Sequence, residues 1–258
     1  MKIKRAIIIF FLSLTVSAQY DANRLQSLYE YTDKALMLVD QLKAEAAIGR
    51  YLPYDTKAKI RLQKNIKRFE TYLDSILLNM PDENKYRKLF LKTKEKWELY
   101  KGLINKHKIT EGDWKQIVKL HKSIKNNLFS IKEILLLLLS PPQDALNAIV
   151  KLRELNEKVS TAFFSAVMKK IYEEPPVPVE DETGMIEDAS KKIKKVQSLF
   201  DKDEKITFVI NTMKSDLNTF HLGFKNAYDP QVLVSTYEKF NDKVFKIQRE
   251  IFKTNRFY

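Results

Sequence analysis

The 258-residue chain contains no cysteine, which excludes disulfide frameworks, thiolate metal sites and cysteine nucleophiles. Its 5 glycines and 8 prolines are too few for collagen, for a turn-rich β-sandwich or for a glycine-rich loop that cradles phosphate. The three histidines, His107, His121 and His221, are scattered without a His-x3-His or Glu-x2-His spacing, so no metal site is expected. What is present is 44% apolar and 31% charged residues, the composition of amphipathic helices with enough apolar side chain for a core.

The first 18 residues have the order of a secretory signal: Lys2, Lys4 and Arg5, the apolar run Ala6 to Val16, then Val16-Ser17-Ala18, which fits small-x-small cleavage. The run is short of the roughly twenty residues that cross a hydrocarbon core, so residues 1–18 are expected to be removed as a signal peptide rather than kept as an anchor. The mature chain then begins at Gln19 and is soluble in the periplasm, and loss of three cations lowers its formal charge from +13 to +10. Export removes nucleic acid from the expected partners. The excess of lysine and arginine, spread along the chain, then points to solvated faces with a few cations left for a small anion.

After Tyr20 apolar residues recur at steps of three and four, the helical signal, and no stretch alternates as a strand does. Leu25, Leu28, Thr32, Ala35, Leu36, Val39 and Leu42 form the first stripe, which ends in a turn from Gly49 to Pro53. Ile60, Leu62, Ile66, Phe69, Leu73, Ile76 and Leu77 form the second. A third helix is predicted over about 83–106 and a fourth from Thr110-Glu111-Gly112-Asp113 to Ser140. After Pro141-Pro142 a fifth runs to Ile171, and the acidic, proline-rich stretch to Glu182 reads as an exposed loop. Three more helices cover about 185–200, 204–226 and 230–252.

The two groups of four can be overlaid. At one shift Leu28, Ala35, Leu36, Ile66, Phe69 and Leu73 fall on Leu155, Ala162, Phe163, Ile193, Val196 and Phe200. At a second, Trp97, Tyr100 and Ile104 fall on Leu217, Phe220 and Phe224; at a third, Val118, Ile124, Leu128, Phe129 and Ile131 fall on Val234, Phe240, Val244, Phe245 and Ile247. The shifts change only between helices, as a duplication with shortened hairpins requires. The expected fold is therefore all-α, two tandem antiparallel four-helix bundles of up-down-up-down connectivity, residues 19–140 and 141–258.

Chemistry is scarce. No strand-turn-helix elbow carries a serine nucleophile, so no catalytic residue, no cofactor and no enzymatic activity are expected. Trp97 lies on an apolar stripe and reads as core; Trp114, in the first turn of its helix, reads as a staple of the preceding loop. Five consecutive leucines, Leu135 to Leu139, cover the whole circumference of a helix and need cover on all sides, at the junction of the bundles or in a homodimer.

One resemblance adds to this reading. Lys151-Leu152-Arg153-Glu154-Leu155-Asn156-Glu157-Lys158-Val159 is similar to the first-helix motif Gly-Arg-Gln-Arg-Met-Leu-Ser-Gln-Arg-Met of the periplasmic four-helix module in PilJ-like chemotaxis transducers and NarX-type nitrate sensors. Arg153 and Leu155 match it, and Lys151, Lys158 and Val159 are substitutes of similar type. The first half keeps Arg24 and Leu28, and Phe69-x3-Leu73, Pro81-Asp82 and Trp97-x2-Tyr100 also fit the family's pattern. The resemblance implies a sensor or ligand-binding module for a small anion such as nitrate or nitrite, with Arg153 as the main binding residue, Lys151 a neighbour and Arg24 the counterpart in the first half. The flanking membrane helices and HAMP linker usual in that family are not expected here, so the resemblance implies a free periplasmic relative that binds a ligand or docks on a membrane-bound signalling partner. The alternative is an adaptor without a small-molecule ligand, in which Arg153 is a solvated or ion-paired surface residue.

Overall fold

The computed structural model describes residues 22–52, 56–80, 84–139, 143–200, 203–226 and 230–254. The signal segment and the Pro141-Pro142 junction lie outside the described residues. Within them the fold is all-α: α1 Ala22–Tyr51, α2 Thr56–Asn79, α3 Asn84–Ile104, α4 Glu111–Leu139, α5 Gln143–Ile171, α6 Glu182–Gln197, α7 Glu204–Asn226 and α8 Pro230–Thr254. Among the described residues no helix is long and apolar enough to cross a membrane.

In the first half α1 packs on α2 and α4, and α4 packs on α3; in the second, α5 packs on α6 and α8, and α7 on α8. The halves meet chiefly where α1 packs on α5. Side-chain pairs fix the directions. Asp40 meets His121 and Asp33 meets Lys132, so α1 and α4 run in opposite senses. Lys158 meets Asp188 and Glu154 meets Lys192, which makes α5 and α6 antiparallel as well.

Two of the helices start on caps written in the sequence. Before α4, the Thr110 backbone N–H donates to Asp113 Oδ2 at 2.9 Å while the Asp113 N–H donates to Thr110 Oγ1 at 3.2 Å, a reciprocal capping pair. Asp181 caps α6 by accepting from the backbone N–H groups of Thr183 and Gly184, and Glu182 reaches Lys169. The acidic stretch expected to be only a solvated loop is thus a helix start tied to α5, because a carboxylate satisfies free N–H groups better than water-facing disorder does.

α1 departs most from expectation. It continues through Gly49, where the turn was predicted, to Tyr51. Burial is not confined to its stripe: Met37, Leu38, Ala44, Ala46, Ala47 and Ile48 are buried too. A helix flanked by α2, α4 and α5 has no solvent face along its middle, so periodicity understates its buried surface. α2 shows the reverse: Ile60 is 65% exposed, because it lies two residues before buried Leu62 and points to the other side of the helix.

The aromatic core follows the stripes. Trp97 is fully buried, its ring centroid 4.3 Å from Phe69 and 5.9 Å from Tyr100, and a second aromatic cluster joins Phe163, Phe220, Tyr237 and Phe240. Trp114 is also fully buried and does more than hold its own loop. It meets Phe164 of α5 edge-on and donates its indole N–H to the Tyr172 hydroxyl at 2.7 Å, joining the two halves.

Candidate functional site

Where α1 faces α4 and α5, the core is charged. Asp33, Asp40 and Lys43 of α1 and His121, Lys125 and Lys132 of α4 are all buried. Each is close to an opposite charge or a π face, as burial of charge requires. Asp40 receives Lys125 Nζ at 3.0 Å and His121 Nε2 at 2.7 Å. Since an ionised carboxylate only accepts, His121 Nε2 carries the proton. Lys125 also reaches Glu157 of α5 at 3.1 Å. Lys132, with no exposed surface, pairs with Asp33 and stands 4.8 Å above the Tyr29 ring. Lys43 stands 4.4 Å over the Phe164 ring of α5.

These surroundings displace the titrations. Burial alone would raise the Asp40 carboxyl, but Lys125, the His121 hydrogen bond and Lys43 outweigh it and hold Asp40 well below the usual range. Burial lowers Lys43 to about 8 despite Asp40. Burial, with the nearby Lys43 cation, lowers His121 to about 4. On the other side of α1, burial raises Glu45 to about 7, against the hydrogen bond that Asn65 donates at 2.7 Å.

Glu45 and His121 oppose each other in their effect on stability. Between pH 4.5 and 7 the folded state holds a proton on Glu45 that the unfolded chain has lost, so stability falls as pH rises. Between pH 4 and 6.5 the unfolded chain holds a proton that folded His121 lacks, so stability rises. Each contribution is about 3 kcal/mol across its window, and they offset. Urea unfolding of the unsubstituted chain should change little between pH 4.5 and 6.5, whereas Glu45→Gln should gain about 3 kcal/mol over that range. A variant whose pH dependence runs parallel to the parent would remove Glu45 from this account.

The residues expected from the sequence to bind an anion are not brought together. Arg24 is exposed at the start of α1 and donates Nε–H to the Asn79 carbonyl at the end of α2, at 3.2 Å. Lys151 is half-buried on α5. Arg153 lies with its guanidinium 4.3 Å over the Phe129 ring, and its Nε has no hydrogen-bond partner among the described residues. The cavity beside it measures about 20 Å³ and is shared with Asp33, Asp40, Glu157 and Asn156. That is room for about one water molecule, next to three carboxylates.

A larger opening lies between α1, α2 and α8. It has a volume of about 560 Å³ and is lined by Lys34, Arg68 and Tyr72 on the first half and by Phe245, Lys246 and Arg249 on α8. Arg68, Lys246 and Arg249 are exposed. Arg68 donates one Nη–H to Asn65 Oδ1 at 3.2 Å, and neither Lys246 nor Arg249 has an ion-pair partner among the described residues. Lys34 is committed to Glu30 at 3.6 Å and lies over the stacked rings of Tyr31 and Tyr72, 5.7 and 5.9 Å from their centroids. Three acids also line the opening. Asp33 is held by Lys132 and Glu30 by Lys34, so Asp242 alone stands against Arg68, Lys246 and Arg249.

Sequence reasoning missed this cleft because its cations come from helices far apart in the chain, one on α2 and two on α8, and each looks like a solvated face when read on its own helix. The inner charges of α1 and α4 left one readable trace, the interruption of otherwise apolar stretches by Asp40, Lys43 and Lys132. Compared with protein-family models, curated proteins and solved structures, the chain matches none.

Proposed function

We propose that this chain is an exported, non-catalytic binding module built from two antiparallel four-helix units, 19–140 and 141–258, that takes a small anion, in the manner of the PilJ/NarX-type modules it resembles. The observation that carries the reading is the cationic cleft: Arg68, Lys246 and Arg249 around an opening of about 560 Å³ with Asp242 as the single opposing free acid. Binding pockets of this size are typical of small-molecule sites, and unpaired cations around a partly enclosed space favour an anion. Arg153 then serves the charged seam between the units rather than the ligand.

Support for two related units comes from the overlaid positions. Leu28 and Leu155, Ala35 and Ala162, Phe69 and Val196, Tyr100 and Phe220, Ile124 and Phe240, and Leu128 and Val244 are buried in both members of each pair. Phe129 and Phe245 are half-buried in both. The same shifts place Ser160 opposite Asp33 and Gln248 opposite Lys132, and all four are buried. The second unit thus carries neutral polar residues, with Ser160 accepting from the Tyr237 hydroxyl, at the positions where the first carries an ion pair.

A thermal-shift screen of the protein against common inorganic anions and small carboxylates at constant ionic strength tests the function. A ligand present at a hundred times its Kd stabilises the folded state by about 2.7 kcal/mol, a rise of roughly 5 °C or more for a chain of this length. The rise should be lost in Arg249→Ala. If no anion shifts the melting temperature, the adaptor reading replaces this one.

A further inference from the structure

The cleft between α1, α2 and α8 is much larger than an inorganic ion and is not lined by charge alone, which bears on what it takes. Tyr72 and Phe245, both half-buried, line it from opposite halves of the molecule. Lys34, lying over Tyr31 and Tyr72, holds the tyrosine pair as a stacked surface. Gln248, only 5% exposed, lines both the cleft and the small cavity beside Arg153, and its buried Oε1 has no hydrogen-bond partner among the described residues. A buried amide oxygen left unsatisfied costs free energy until a donor reaches it.

We infer that the ligand of this cleft is an aromatic carboxylate bearing a hydrogen-bond donor on its ring, of the hydroxybenzoate class, and the inference rests on the anion-binding reading above. The three features fit three parts of such a molecule. The carboxylate meets the exposed cations at the mouth, where the Arg249 fork is free for a planar, bidentate partner. The ring lies against Tyr72 and Phe245, which favour a flat π surface over a saturated one. With the Gln248 side chain turned toward the cleft, the ring hydroxyl donates to its Oε1. Asp242, at the rim, opposes a second negative charge and so favours a monoanion over a dianion.

Calorimetric titration of the whole chain at fixed ionic strength with 4-hydroxybenzoate, benzoate, cyclohexanecarboxylate and nitrate tests the inference. 4-Hydroxybenzoate should bind most tightly, benzoate next, and cyclohexanecarboxylate and nitrate at least about tenfold more weakly than 4-hydroxybenzoate. Arg249→Ala, an exposed position, should weaken all four. Tyr72→Leu should weaken the two aromatic acids and leave nitrate unchanged. Gln248→Leu should abolish the advantage of 4-hydroxybenzoate over benzoate. Should nitrate or cyclohexanecarboxylate bind as well as 4-hydroxybenzoate, the aromatic inference fails while the anion reading stands. Should none of the four bind at millimolar concentration, with the parent chain folded by circular dichroism, both fail.

Discussion

Lys132→Met should destabilise the protein by about 3–5 kcal/mol, among the largest effects of any single substitution in the chain. Lys132 has no exposed surface, and its ammonium is paired with Asp33, itself only 6% exposed. Removing the lysine strands a carboxylate in the core, and an uncompensated buried charge costs far more than the net worth of the pair. The methionine fills the same volume, so the loss reports charge rather than a cavity. The double variant Asp33→Ser with Lys132→Gln supplies the control. It copies the neutral Ser160 and Gln248 at the overlaid positions of the second half, both buried, and should recover most of the lost stability. Equal urea midpoints for Lys132→Met and the unsubstituted chain would show that Lys132 is not buried against Asp33.

Leu135→Asp should cost several kcal/mol, by burying a charge among leucines where the neighbouring cation, Lys132, is already committed to Asp33. Leu135 is 3% exposed and lies three residues beyond Lys132, on the same face of α4. Leu136 and Leu139 are buried beside it, while Leu138 is partly covered. Glu133, by contrast, is exposed on that stretch, so Glu133→Leu should change the melting temperature little. A Leu135→Asp protein that melts with the parent would place the leucine run on the surface.

These two sites also show what the sequence could and could not disclose. Burial of Leu135, Leu136 and Leu139 was legible because five apolar residues in succession leave a helix no polar face. Helix positions were legible for a similar reason: the three- and four-residue recurrence from Glu204 to Asn226 matches α7 as observed. Helix α1 was only half legible. Its stripe named Leu28, Ala35 and Val39 but not the buried Asp33, Asp40 and Lys43, since nothing local to a helix reveals that neighbours from α4 and α5 cover its other faces. Arg153 illustrates the same limit. The motif around it singled out an arginine, while the Phe129 ring and the Asp33 and Asp40 carboxylates near it come from other helices. The cleft depends on the third dimension altogether, since Arg68 and Arg249 share a wall only after both halves have folded.

The most direct test of the account is a calorimetric comparison of three proteins with one ligand. The unsubstituted chain, Arg249→Ala and Arg153→Ala would each be titrated with 4-hydroxybenzoate at constant ionic strength. One site per chain is expected in the unsubstituted protein, with a loss of at least about tenfold in affinity for Arg249→Ala and unchanged affinity for Arg153→Ala. Binding that survives Arg249→Ala and disappears with Arg153→Ala would contradict it, placing the anion at the α4–α5 seam instead of the cleft.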